Sequence, residues 1–169
     1  MLEIIDNMTP FFEDCYRRIS VREYSRIIKV APPTASKMLS VYASEGLLIK
    51  ERYKNYLFFH AKKDSKDFIG LSRVYWQHKL KDLGAFLDQN LANPVVILFG
   101  SLSKGEAKAD SDVDIAIFAV KKPLKLDFFE KKIKRKLQIF WFKSGKDIKN
   151  KDLANNILNG HIIVGRISI

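Results

Sequence analysis

Two hydrophobic rhythms alternate along the chain. Phe11, Phe12, Cys15 and Ile19 recur at helical spacing behind Thr9-Pro10, which predicts a helix with Thr as its cap and Pro in its first turn. Ser20 followed by Glu23 has the form of a capping box and opens a second helix carrying Tyr24, Ile27 and Ile28. After Val30-Ala31-Pro32-Pro33 the stretch TASKMLSVYASE predicts a third helix that stops at Gly46. It carries Ala35, Met38 and Leu39 on one side and Thr34, Ser36, Lys37 and Ser40 on the other. LLIKERYKNYLFFHA then alternates in steps of two around Lys54-Asn55, the pattern of a hairpin. From Ser65 to about Asn93 the helical period returns, with Phe68, Leu71 and Tyr75 on one stripe and Trp76, Leu80, Leu83 and Leu87 on the next. This predicts one long connecting helix whose wide apolar face needs a partner, either a second domain or another copy of the chain.

Past Asn93-Pro94 the rhythm changes again. Val95 to Phe99 is a short apolar run ending in Gly100-Ser101, a buried strand feeding a tight turn. A second strand is predicted over 112–119, where acidic and apolar residues alternate. Residues two apart on a strand share a face, so Asp112 and Asp114 project side by side while Val113 and Ile115 point into a core. Two carboxylates held together repel unless a cation lies between them, and oxygen ligands of this kind suit Mg²⁺ or Mn²⁺. FFEKKIKRK predicts a helix and KLQIFWF a strand; DLANNILNG predicts a helix capped by Gly160, and HIIVGRISI a last strand.

Composition narrows the class. The chain has 169 residues and is 47% hydrophobic, enough for globular cores. The single cysteine, Cys15, forms no internal disulfide, and MLEIIDN lacks the basic flank and apolar core of a signal peptide, so a cytoplasmic protein is expected. No run approaches the roughly 18 apolar residues of a membrane span. His60, His78 and His161 have no metal-ligand spacing. Thirty Lys and Arg against 19 Asp and Glu give a formal charge of +11, which favours polyanions without naming one. Residues 91–169 hold 15 basic and 8 acidic residues, so most of the surplus lies beside the aspartate pair. The run Lys131, Lys132, Lys134, Arg135 and Lys136 reads either as a solvated helix face or as a dock for a nucleic acid or an acidic partner.

SVREYSRIIKV, PPTASKMLSVYASEGLL and ERYKNYLFFH occur in the order of a helix, a recognition helix and a wing, and residues 1–64 resemble a winged helix-turn-helix domain. The resemblance implies that Thr34, Ser36, Lys37 and Ser40 face the major groove of double-stranded DNA and that Arg52 and Lys54 reach phosphate. Residues 65–92 are then the connector helix.

Residues 93–169 carry a second resemblance, on Gly100, Ser101, Gly105 and the run Ser111-Asp112-Val113-Asp114. This stretch resembles the small nucleotidyltransferase domain of the DNA polymerase β superfamily, in its minimal nucleotidyltransferase branch. The whole chain is thus expected to be α+β: a winged helix domain, a connecting helix and a small mixed α/β domain. The resemblance implies that Gly100, Ser101, Gly105 and Ser111 hold the triphosphate of an NTP, with ATP the expected one. Asp112 and Asp114 would be the catalytic residues, holding the Mg²⁺ or Mn²⁺ that bridges the phosphates. Active relatives usually place a third carboxylate on the next strand; here that strand's polar position is Gln138, an amide that cannot act as a general base.

Two functions remain open on this reading. One is metal-dependent transfer of a nucleoside monophosphate to an acceptor hydroxyl. The other is a non-catalytic DNA-binding regulator that senses nucleotide or pairs with a partner. Minimal members often work with a separate helical partner protein, which the resemblance carries over as an expectation beside a homodimer.

Overall fold

The computed structural model describes residues 3–167. The chain divides into two units. One runs to Tyr75 and takes in Gly105–Ala109; the other comprises Trp76–Lys104 and the chain from Asp110 onward.

The first unit begins with α1 (Glu3–Glu13), β1 (Ile19–Ser20), α2 (Val21–Ile28) and α3 (Pro32–Ser44). The hairpin of β2 (Leu48–Tyr53) and β3 (Tyr56–Ala61) follows, and the antiparallel sheet has the order β1-β3-β2. Thr9-Pro10 does not start α1. Pro10 lies inside it and is buried with Ile5, Met8, Phe11 and Phe12, while the Thr9 hydroxyl bonds to the Ile5 carbonyl. Burial of that apolar stripe outweighs the hydrogen bond that proline removes. Ile19 is not on this helix either; it is buried on β1, opposite Phe59. The Ser20 hydroxyl accepts from Glu23 N–H as a cap, but the Glu23 carboxylate turns to Arg17 instead of closing the box. α3 stops as expected. Gly46 sits at φ +72°, with Gly46 N–H on the Ala43 carbonyl and Leu47 N–H on that of Tyr42, a Schellman end. The hairpin turn is Lys54-Asn55, with Lys54 in the left-handed region.

The single connector helix is two helices, α4 (Lys66–Lys79) and α5 (Lys81–Asn90), interrupted at Leu80. The bonds Leu80 N–H to Trp76 and Gly84 N–H to Leu80 run through the break, where Leu80 takes φ −92° and ψ 2°. The two apolar stripes serve different cores: Phe68 and Tyr75 pack on Phe12 in the first unit, while Trp76, Leu80, Leu83 and Leu87 are buried in the second.

The second unit is built on β4 (Val95–Phe99), β5 (Val113–Phe118), β6 (Leu137–Phe142) and β7 (His161–Val164), with α6 (Gly100–Lys104), α7 (Asp127–Ile133) and α8 (Lys151–Leu158) between them. The sheet order is β6-β5-β4-β7, with β5 and β6 parallel and the other pairs antiparallel. Ile97, Phe99 and Ala116 on one face pack with Ile157 of α8, and Phe118, Phe140 and Phe142 join them. Val96, Leu98, Val113, Ile115 and Ile117 on the other face are fully buried. Central strands covered on both faces read as continuous apolar runs, as VVILF does throughout and VDIAIF does beyond Asp114. Among the described residues no helix is long and apolar enough to cross a membrane.

Candidate nucleotide and metal site

The site lies where β4 ends and β5 begins. Phe99, the last residue of β4, pairs with Asp114 of β5, and Asp114 pairs in turn with Gln138 of β6. Paired residues share a face, so Asp114 and Gln138 stand side by side on the face that α8 covers further along. Gln138, singled out in the sequence as the neutral residue of the third strand, is thus in register with the acid. Asp112 is exposed, one residue before β5, so the strand starts a residue later than the alternation predicts.

Gly100 joins the turn to the acid. Its φ of +72° is a left-handed value, and a Cβ there would land on Oδ2 of Asp114. The Asp114 carboxylate therefore occupies the space that any other residue at the turn would fill. Burial, and then the charge of Asp112, hold the Asp114 carboxyl above the usual carboxylate range. Ser101 follows in α6, half-buried; the Ser103 hydroxyl bonds back to the Gly100 carbonyl, and Lys104 Nζ reaches Asn156 Oδ1 of α8 at 2.7 Å. Gly105, at φ +72°, is buried in the first unit, where a Cβ would meet Ile69 and Phe68.

The acidic stretch is anchored by a residue that sequence reasoning placed elsewhere. α7 ends at Ile133, Lys134 takes a left-handed conformation, and Arg135 and Lys136 lie beyond, so the basic run is not one helix face. Arg135 is buried, with its guanidinium 5.1 Å from the Trp76 ring centroid and Nη1 donating to the Ser111 carbonyl at 2.6 Å. Val113 N–H bonds to the Lys136 carbonyl, and Leu137 N–H to Glu130 Oε1. Arg135 is the one arginine in a run of lysines, and that was the signal available: a planar fork stacks and donates where an ammonium would not. Asn156 carried no comparable signal.

Asp112 and Asp114 are the donors a hard dication would take. Mg²⁺ commonly binds through one or two carboxylates, with phosphate and water completing its shell, so the pair fits one ion carried in by a phosphate group. Among the described residues no group of three or more His, Cys, Asp or Glu is placed to hold a metal. The histidines are dispersed: His60 lies against the Ala61 carbonyl and His161 against Gln77. In the first unit, Thr34, Lys37 and Ser40 are exposed on α3 and Ser36 is half-buried, while Arg52 and Lys54 are exposed on β2 and its turn. Thr34 and Lys37 also border a shallow depression with Glu3, Ile4 and Asn7 of α1.

The raised Asp114 carboxyl sets a testable sign. Between the unfolded carboxyl value of roughly 3.9 and the higher folded value, the folded state holds the extra proton, so stability falls as pH rises through that window. In metal-free protein at neutral pH, Asp114→Asn should raise the melting temperature, and the gain should vanish in acid. Thermal melts of both proteins with chelator, at neutral and acidic pH, check this; an Asn variant less stable at neutral pH would contradict it.

A family model described as polymerase beta nucleotidyltransferase matches residues 81–167. No curated protein and no solved structure matches the chain. The match covers just over half of the chain and includes β4, the Gly-Ser turn, both aspartates and β6. The chain therefore belongs to the polymerase β nucleotidyltransferase family.

Proposed function

We propose that the second unit binds a nucleoside triphosphate together with Mg²⁺ or Mn²⁺, and that it transfers the nucleoside monophosphate only slowly because the third carboxylate is replaced by Gln138. The observation that carries this is the register Phe99–Asp114–Gln138, with Gly100 closed against the Asp114 carboxylate. A turn that cannot carry a side chain lets phosphate oxygens approach the backbone beside the two acids. Ser101 supplies a hydroxyl donor at the start of α6, and Ser111, with its carbonyl fixed by Arg135, presents Asp112. A bound dication would withdraw charge from the phosphates and lower the raised Asp114 carboxyl. In transfer, an acceptor hydroxyl oxygen forms a bond to the α-phosphorus, the bond to the β-phosphoryl oxygen breaks, and pyrophosphate leaves. The hydroxyl proton must go to a base on the acceptor or to water, since an amide does not take it.

Gln138 also favours a second reading, in which the site senses nucleotide without transfer. The first unit would then be a winged helix-turn-helix that binds double-stranded DNA. Its element order, the sheet β1-β3-β2 and the exposed α3 face of Thr34, Lys37 and Ser40 support that reading.

Three outcomes are expected. Calorimetry with Mg²⁺ and ATP should show binding whose metal-dependent part is lost in the Asp112→Asn, Asp114→Asn double variant; equal binding in that variant would remove the site. Gln138→Glu should raise transfer of label from labelled NTP, by about 10²-fold if a missing base is what limits the rate. For the first unit, the triple variant Lys37→Ala, Arg52→Ala, Lys54→Ala should weaken binding to duplex DNA. Anisotropy titrations at several salt concentrations should show the slope of log affinity against log salt flattened by about 0.9 for each phosphate no longer neutralised.

A further inference from the structure

We propose that the outer edge of β6 is a dimer interface, on which a second copy of this chain adds its own β6 antiparallel, with Phe140 opposite Phe140. β6 ends the sheet and is hydrogen-bonded to β5 alone. The direction of its backbone groups follows from the parallel ladder. Val113 N–H donates to the Lys136 carbonyl and Ala119 N–H to that of Phe142, so Lys136, Gln138, Phe140 and Phe142 face β5. Leu137, Ile139, Trp141 and Lys143 therefore face outward.

The two ends of that outward row are already occupied. Leu137 N–H donates to Glu130 Oε1 at 2.8 Å, and Lys143 N–H to Asp147 Oδ2 at 3.0 Å, the same oxygen that takes Ser144 N–H. Between them, Ile139 and Trp141 have outward backbone groups with no partner among the described residues. The open window is centred on Phe140 and is its own complement. In an antiparallel register with Phe140 on the two-fold axis, Ile139 exchanges both hydrogen bonds with Trp141 of the second copy, and Trp141 with Ile139. The next outward pair is Leu137 against Lys143, where the carboxylate caps stand.

The Leu137 end carries Glu130 and the exposed Lys136; the other end carries the exposed Lys143 and Asp147. Antiparallel pairing brings Glu130 and Lys136 of one copy to the end that holds Lys143 and Asp147 of the other, so each end sets two carboxylates beside two lysines. LQIFWF has no charge, proline or glycine inside it, the devices that usually protect an edge. The cross-strand neighbours become Ile139 with Trp141 and Phe140 with its own copy, aromatic and β-branched pairs that stabilise antiparallel strands. Gln138 then stands opposite Phe142 of the second copy, on the face of Asp114, so the second copy borders the open flank of the candidate nucleotide site.

The test uses the full chain without nucleotide, so it succeeds or fails independently of the nucleotidyltransferase reading. Sedimentation equilibrium from low to high micromolar protein should show a monomer–dimer equilibrium. Ile139→Pro should abolish it, because the lost N–H points away from β5 and an edge strand tolerates proline there. As a measure of register, Phe140→Cys should give a disulfide-linked dimer on oxidation, while Gln138→Cys, far from its own copy in this register, should not. Wild type, with Cys15 buried, is the control. Should Ile139→Pro lose its thermal transition, the cysteine pair alone decides. A monomer at all concentrations would overturn the proposal. So would a dimer that persists in folded Ile139→Pro, or cross-linking of Gln138→Cys as strong as that of Phe140→Cys.

Discussion

The second unit is organised around one close approach: the carboxylate of Asp114 lies in the space where a side chain at Gly100 would be. A half-buried acid beside a second acid is costly, and its raised carboxyl expresses that cost. Everything near it serves to hold it there. β4 and β5 pair so that the turn and the acid meet, and the left-handed Gly100 turns the chain away without covering the carboxylate. A ligand that supplies positive charge would relieve this repulsion.

The support comes from behind the acids. Arg135 is buried against Trp76 and holds the Ser111 carbonyl, so the residue leading into Asp112 is tied to the core rather than left as a loop. This interaction also brings a guanidinium to the acidic stretch. Glu130 and Asp147 do a related task along β6, setting carboxylates on backbone donors at the two ends of an otherwise bare edge. These are local charges used for backbone positioning, which is different from the solvated basic face that the lysine run suggests when read as a string.

Much of this was legible in the sequence wherever one residue type has one physical use. Gly46 ends α3 and Lys54-Asn55 turns the hairpin because few residues accept such backbone angles. The alternation of VDIAIF pointed to β5, and the spacing from Gly-Ser to Asp-x-Asp pointed to the junction of β4 and β5, where Gly100 closes on Asp114. What failed were features decided by packing at a distance. Pro10 remains in α1 because its neighbours are buried, and Ile19 leaves the helical stripe to pair on β1. The connector divides at Leu80, a residue with no breaking signal of its own. Arg135 could not be separated from its lysine neighbours by periodicity, since the helix ends two residues before it.

Gln138 follows from the same electrostatics. A third carboxylate in register with Asp114 would add a like charge beside a carboxyl that burial and Asp112 already raise. An amide of the same shape keeps the hydrogen-bonding surface and removes that repulsion, while giving up the group that would accept the acceptor's proton. It also lowers the charge next to the open edge of β6, where a third acid would stand at the flank available to another strand. An amide at this position therefore spares Asp114 a further like charge in register and leaves the β6 flank uncharged beside it.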